Sequence, residues 1–342
     1  MAKQTDLSSM LTAGKTGIVL PTSSDKPRYG EVIRHLASFI GHTRLHKLDY
    51  TYGHLYTKLE NLNFFGSIKD RPAFYILRKA LEQGIIDSQT TVIESTSGNF
   101  GIALASICKA LDMKFIAVVD PNITSEKEHI MRLKGAEIIK VTEKDKTGGY
   151  LLNRIQCVKE YLVTHANAYQ PNQYENPDNY MSYYYTLGEE IANSIPSLDY
   201  AFISVSTGGT ITGLSNKLKE QYKNIKIIAV DIEGSMVFSN IPAARKIPGI
   251  GASLRTGFYD QAIIDDFIIL SQSDIIKGCY DLLHHHHLFL GGSAGAAFAA
   301  ADRFLRQRGK TGVNAIFISP DAGNSYIDTI YNPEWISANG LT

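Results

Sequence analysis

What is scarce in this sequence narrows its class. The three cysteines, Cys108, Cys157 and Cys279, are odd in number, far apart and form no CxxC pair. That argues against a disulfide scaffold and a cysteine-built zinc site, and fits a reducing cytosol. Net charge is missing as well. Thirty-four Lys and Arg offset 34 Asp and Glu, so no overall field draws the chain to nucleic acid or to an anionic membrane. No apolar run is long enough to span a bilayer. Residues 1–29 are polar, broken by Gly, Pro and Ser-Ser, and lack the apolar core of a signal peptide; they read as a loose extension. The expected location is the cytoplasm. Repeats and low-complexity tracts are lacking too, apart from the histidine run 284–287.

What is present is a full core and a regular alternation. A hydrophobic fraction of 44% over 342 residues suits two domains or one large one. After two short strands at 45–48 and 55–59, strands at 91–94, 115–119 and 137–141 alternate with helices at 99–111, 125–134 and 149–164. A Pro/Asn-rich bend at 170–179 marks a boundary. The alternation restarts with a helix at 181–193, then strands at 200–205, 226–232, 263–270 and 313–319 between helices at 210–222, 274–286 and 296–307. Strand and helix in turn mean βαβ units and parallel sheet, an α/β fold.

The chain is organised around residues 63–73, NFFGSIKDRPA. A Gly-Ser turn precedes Lys69, and an apolar run of helical spacing follows, closed by Gly84. Ser67 is the expected N-cap, and Pro72 suits a first turn. Lys69 then sits at a helix N-terminus, where the dipole disfavours a second positive charge and eases loss of the proton, as a nucleophilic amine requires. This stretch alone equally describes an ordinary surface lysine.

Three turns join strands to helices. Residues 94–99 (ESTSGN) form a nest of hydroxyls and free N–H groups sized for a carboxylate, or else a capped helix start. Residues 205–210 (VSTGGT) have the composition of a phosphate cup. A dinucleotide fingerprint fails there because Thr210 occupies the middle glycine position, although Asp231 follows at a suitable distance; a P-loop fails for want of lysine after Gly213. Residues 291–295 (GGSAG) set Ser293 where a strand meets a helix, or simply allow a close helix–strand contact.

Taken together, GSIKDRPA, STSGN, STGGT, GGSAG and the terminal PDAGNSY resemble the cysteine synthase/cystathionine β-synthase family of fold-type-II pyridoxal-phosphate (PLP) enzymes, from about His42 to Trp335. The resemblance implies two doubly wound α/β domains of the tryptophan synthase β-subunit type with pyridoxal 5'-phosphate between them, and a homodimer. Residues 30–40 and 63–176 would form the smaller domain, 41–62 and 177–342 the larger. Lys69 would form the Schiff base with the cofactor. Ser206, Thr207, Gly208, Gly209 and Thr210 would hold its phosphate, Asn99 its phenolic oxygen and Ser293 its pyridine nitrogen. Thr96, Ser97, Asn99 and Gln173 would hold the substrate carboxylate. A hydroxyl rather than a carboxylate at the pyridine nitrogen favours β-elimination to an aminoacrylate followed by nucleophile addition.

The chain departs from cysteine synthases in carrying DPNITSEKEHIMRLKGAE after residue 119 and TGGYLLNR at 147–154. With ESTSGN and KDRPA, these segments look most like the branch of N-(2-amino-2-carboxyethyl)-L-glutamate synthases. That branch joins O-phospho-L-serine to L-glutamate on the route to 2,3-diaminopropionate in siderophores and peptide antibiotics. Arg154, Tyr174 and Ser206 would then help select the substrates, since glutamate and phosphoserine bring more negative charge than sulfide. A cysteine synthase using sulfide and a catalytically silent binding module on the same fold are the rivals. The histidines at 284–287 fan around a helix and cannot converge on one ion, so no metal is expected there. Tyrosines 180, 183, 184 and 185 are expected to pack against a partner or cap a cleft.

Overall fold

A computed structural model describes residues 29–146, 148–309 and 312–341. The expected extension, as far as residue 28, and Thr147 lie outside the described residues. Two sheets organise the molecule. The smaller has four parallel strands in the order β5-β4-β3-β6. These are β3 (Thr91–Ser95), β4 (Lys114–Val119), β5 (Glu137–Lys140) and β6 (Ala168–Tyr169). Between them run α3 (Asn99–Ala110), α4 (Ser125–Leu133) and α5 (Leu151–Thr164). Strands such as KFIAVV, buried along five of six residues, are apolar throughout because helices cover both faces. α1 (Tyr29–Ala37) and α2 (Asp70–Glu82) join the same core through Leu36, Phe74, Ile76 and Leu77.

The larger sheet has six strands in the order β1-β2-β10-β7-β8-β9. β1 (Leu45–Lys47) and β2 (His54–Leu59) form an antiparallel hairpin on its edge. β7 (Tyr200–Ser204), β8 (Lys226–Ile232), β9 (Asp266–Leu270) and β10 (Asn314–Ser319) are parallel, and β10 also pairs with β2 in parallel. The surrounding helices are α6 (Asp178–Tyr183), α7 (Glu189–Ser194), α8 (Gly209–Gln221), α9 (Gln272–His286), α10 (Gly292–Arg308) and α11 (Pro333–Ala338). Among the described residues no helix is long and apolar enough to cross a membrane.

Several expectations need correction. Ser67 is not the N-cap of α2; Lys69 is, with helical angles of φ −74° and ψ −14°, and Ser67 Oγ accepts the Lys69 N–H at 3.2 Å. The helix expected at 181–193 is α6 and α7 joined by a π-helical turn, Tyr184–Gly188. The third glycine-rich turn is the first turn of α10 itself. Its small residues serve two contacts: a Cβ on Gly295 would lie 2.2 Å from Cys279 Sγ in α9, and the Ser293 carbonyl accepts from Ser204 Oγ at the end of β7 at 2.6 Å. β9 starts at Asp266, not 263, and the short β6 and α11 carried too few periodic residues to be read. Tyr183 is fully buried in the core beside α8, while Tyr185 is exposed and stacks on Tyr75 at 6.5 Å. His284, His285 and His286 form the last turn of α9, and His287 is its left-handed cap.

A buried charge cluster ties the two sheets together beside Lys69. Arg71 donates from Nε to Glu60 Oε2 at 2.6 Å and from Nη1 to Glu190 Oε1 at 2.7 Å. Lys58 donates to Glu190 Oε2 at 2.6 Å and to the Thr43 carbonyl at 2.6 Å. Burial acts to raise the Glu190 carboxyl, and the Arg71 and Lys58 cations overcome it, holding it at about 2. Two cations face two carboxylates, so removing one leaves an uncompensated buried charge. Arg71→Met should destabilise the protein by about 3–5 kcal/mol, read as a lower urea midpoint. A loss under ~1 kcal/mol, the range of an exposed pair, would show that the cluster is not tightly desolvated.

Candidate active site

The carboxyl ends of β3, β4, β7 and β10 converge on one cleft of about 720 Å³. This is where parallel α/β sheets place ligands. Lys69, Thr96, Ser97, Asn99, Arg154, Gln173, Tyr174, Ser206, Thr207, Gly208, Thr210 and Ser293 all line it. Gly209, grouped with them from sequence, does not. It opens α8, and a Cβ there would lie 2.2 Å from Asn179 Oδ1, so its glycine serves the contact with α6.

The Lys69 amine makes no hydrogen bond or ion pair among the described residues. Burial lowers its pKa to about 8, against the Asp321 carboxylate, which acts to raise it. Desolvation, rather than the helix end invoked from sequence, is thus the leading cause of the easier deprotonation. The backbone around Lys69 is pinned from the other sheet: Ile68 N–H donates to the Pro320 carbonyl at 2.8 Å, and Ser67 forms an isolated bridge with Asp321.

The turn after β7 is fastened from behind. The Tyr259 hydroxyl donates to the Ser206 carbonyl at 2.8 Å, and Thr256 Oγ1 to the Thr207 carbonyl at 2.7 Å. Ser206 Oγ donates to the Gly251 carbonyl at 3.0 Å. Gly208 has φ +94°, and a Cβ there would meet the Tyr259 ring at 2.9 Å, so no other residue suits the position. The first amides of α8 have no intrahelical acceptor. With the hydroxyls of Thr207 and Thr210 they make an anion cup at a helix N-terminus.

The turn after β3 faces it. Thr96 is nearly fully buried, and its N–H donates to the Val118 carbonyl at 3.0 Å. Asn99, the first residue of α3, donates from Nδ2 to Asp321 Oδ2 at 2.8 Å. Gln173 Nε2 donates to the Ser95 carbonyl at 3.0 Å, which joins the 172–176 loop to this turn. Glu94, at the end of β3, accepts the Ser95 N–H on Oε1 at 3.0 Å, while its Oε2 is buried without a partner. Its burial nevertheless raises its pKa to about 8. Arg154 reaches the same turn from α5, donating from Nη1 to Ser97 Oγ at 3.2 Å. Tyr174 lines the cleft with Arg154; burial raises the phenol to about 12, and the Arg154 cation acts to lower it.

Sequence reasoning missed several lining residues. Asp120 places Oδ2 3.2 Å from Arg154 Nε, so the arginine is already paired inside the cleft. Asp321 was read only as part of a terminal motif. Both follow parallel strands at their carboxyl ends, and that position was the available signal. Lys127, Arg245 and Lys246 also line the cleft; nothing in their local pattern marks them.

The donor set was tested against the cofactor that the resemblance implies. An unpaired, partly deprotonated amine suits an aldehyde. A hydroxyl-rich cup at a helix N-terminus suits a phosphate. Asp321 Oδ1, buried beside the Asn99 contact without a partner, marks a polar group awaiting company in the cleft. The residues fit pyridoxal phosphate.

Residues 36–321 match the family model described as pyridoxal-phosphate dependent enzyme. The chain is 39% identical over 311 residues, 90% of its length and 92% of the relative's, to an N-(2-amino-2-carboxyethyl)-L-glutamate synthase of Ralstonia nicotianae. Among solved structures, an O-acetylserine dependent cystathionine β-synthase from Helicobacter pylori superposes with a TM-score of 0.80 at 34% identity, covering 87% of this chain and 98% of that one. A hydrogen sulfide-producing enzyme from Fusobacterium nucleatum gives a TM-score of 0.80 at 30% identity, covering 85% and 97%. With its cleft, its lysine and its cup in place, the chain belongs to the pyridoxal-phosphate dependent enzymes, within the fold-type-II cysteine synthase/cystathionine β-synthase group.

Proposed function

We propose that the protein performs β-replacement on an activated L-serine, O-phospho-L-serine, with the amine of L-glutamate as nucleophile, giving N-(2-amino-2-carboxyethyl)-L-glutamate. The charge of the cleft carries this reading. Lys69, Lys127, Arg154, Arg245 and Lys246 line it against two carboxylates, Asp120 and Asp321. Sulfide needs no such excess of cations, whereas a phosphorylated amino acid and a dicarboxylate do. The identity with the Ralstonia synthase supports the same choice.

When bound, pyridoxal phosphate supplies an electron sink for the α-carbon of the first substrate. Lys69 Nζ is the amine that takes its aldehyde, and with a pKa of about 8 the freed amine can take the α-proton near neutral pH. Ser206, Thr207, Gly208 and Thr210 hold the phosphate, and Asn99 and Ser293 orient the ring. Thr96, Ser97 and Gln173 bind the substrate carboxylate. Arg154, with Tyr174 beside it, meets the added negative charge of the second substrate. Asp120 keeps the guanidinium in place. We also propose a cytoplasmic homodimer, supported by the stacked and exposed Phe39 and Phe64, 4.9 Å apart, which leave an aromatic surface for a second copy. The product's fate in siderophore or antibiotic assembly belongs to the same proposal.

The Helicobacter neighbour is O-acetylserine dependent, which makes acetate the other candidate leaving group. One assay separates the readings: mix the protein with O-phospho-L-serine or O-acetyl-L-serine, offer L-glutamate or sulfide, and identify the product by mass. Faster product formation with sulfide than with glutamate would return the chain to the cysteine synthases. Lys69→Ala should abolish turnover while the protein still folds; retained steady turnover would mean that another lysine bears the cofactor. Arg154→Ala should raise the KM for glutamate on the order of ten- to a hundredfold, the size of a lost hydrogen bond to a charged group. Release of the leaving group from the first substrate should change less, and an unchanged KM would remove Arg154 from the pocket.

A further inference from the structure

Asp321 is held by four segments at once. Its carbonyl accepts the Gly291 N–H at 3.0 Å, just before α10, and its backbone bridges to Ser67, two residues before Lys69. Its Oδ2 accepts from Asn99 Nδ2 at 2.8 Å and from the Tyr326 hydroxyl at 2.9 Å. The other oxygen, Oδ1, is buried and has no partner. Space for it is reserved: a Cβ on Gly291 would stand 2.1 Å away. The residue is only 7% exposed and lines the cleft together with Lys69.

Two neutral donors on one oxygen do not require a charge. An amide oxygen would accept both. A carboxylate at this depth with one bare oxygen is a cost unless a cation compensates it. The cation tied to it through the backbone is Lys69, two residues after the Ser67 bridge and in the same cleft lining, and Asp321 acts to raise its pKa. The other titratable groups facing the pair do not compete. Burial raises Tyr326 well above its ordinary range, the nearby Cys279 thiol to about 12, and Tyr331 upward as well. All three are neutral where the enzyme works. Lys127 Nζ lies 5.9 Å from the centre of the Tyr326 ring, with the aromatic face as its neighbour.

We propose that Asp321 is a positioning residue for this active site: its charge holds a proton on Lys69 Nζ, and its Oδ2 fixes the direction in which Asn99 presents its amide to the cleft. The two effects act at the same place. A negative charge beside a nitrogen favours its protonated form, whether that nitrogen is the free amine or is bonded to the cofactor. The anchored Asn99 keeps one N–H on Oδ2 and leaves the other for the ring oxygen. The inference rests on Lys69 being the cofactor-bearing amine.

The test uses the full-length holoenzyme and two variants, Asp321→Asn and Asp321→Ser. Visible absorbance is followed against pH, and borohydride reduction with peptide mass identifies the modified lysine. Removal of the anion should lower the pH midpoint of the visible band by about one unit, a tenfold loss of proton affinity. Tyr326→Phe, which keeps the carboxylate, should leave the midpoint in place. An unchanged midpoint in both Asp321 variants, with Lys69 still the reduced residue, would overturn the inference alone. Reduction of a different lysine in the parent would instead overturn the reading of Lys69. Failure of both variants to yield folded, yellow protein would make Asp321 a structural carboxylate and end the proposal.

Discussion

Arg71 stands two residues after Lys69 and cannot move without stranding two carboxylates. Its guanidinium bonds to Glu60, just after β2, and to Glu190 in α7. Lys58 and Thr43 complete the cluster from the hairpin edge of the larger sheet. α2 otherwise belongs to the core of the smaller sheet. The ionic cluster is therefore what fixes the start of α2, and with it Lys69, against the other half of the protein. A hydrophobic contact resists separation but tolerates sliding. A set of bonds to two rigid carboxylates does not, because each has one geometry that leaves no charge unpaired.

The order of elements was legible because parallel sheets in α/β proteins are written as short apolar strands between amphipathic helices. β8 was read to the residue, and the three glycine-rich segments were found because their composition is rare. What stayed hidden was set by contacts distant in sequence. The π-helical turn at Tyr184–Gly188 lies where α6 and α7 pack against α8. A Cβ on Gly213 would come within 2.2 Å of the Tyr180 carbonyl, and one on Gly188 within 2.8 Å of Lys217. No local periodicity encodes that squeeze. Lys127, Arg245 and Lys246 were invisible for a similar reason: each is an ordinary polar residue until the fold brings it to the cleft. The ease of deprotonating Lys69 was expected, but from the helix end, whereas depth in the cleft is its leading cause.

The residues expected to recognise charge are not free agents. Arg154 is held by Asp120 and Ser97. Such a guanidinium is held in place before any ligand arrives, so less conformational freedom is lost on binding. Glu94 works likewise on the backbone, accepting the Ser95 N–H at 3.0 Å. Asn172, in the left-handed region at φ 53°, accepts the Glu175 and Asn176 N–H groups on its carbonyl at 3.2 and 3.0 Å.

The cleft has two linings of separate origin. Thr96, Ser97, Asn99, Asp120, Arg154 and Gln173 come from the smaller sheet and its connections. The 204–208 turn and Ser293 come from the larger. The Lys69 segment and Asp321 stitch the two within the cleft. A lineage can therefore rewrite one wall by ordinary substitution while the opposite wall keeps its ancestral form, and the seam at Asp321 and Lys69 is the part that must be inherited whole.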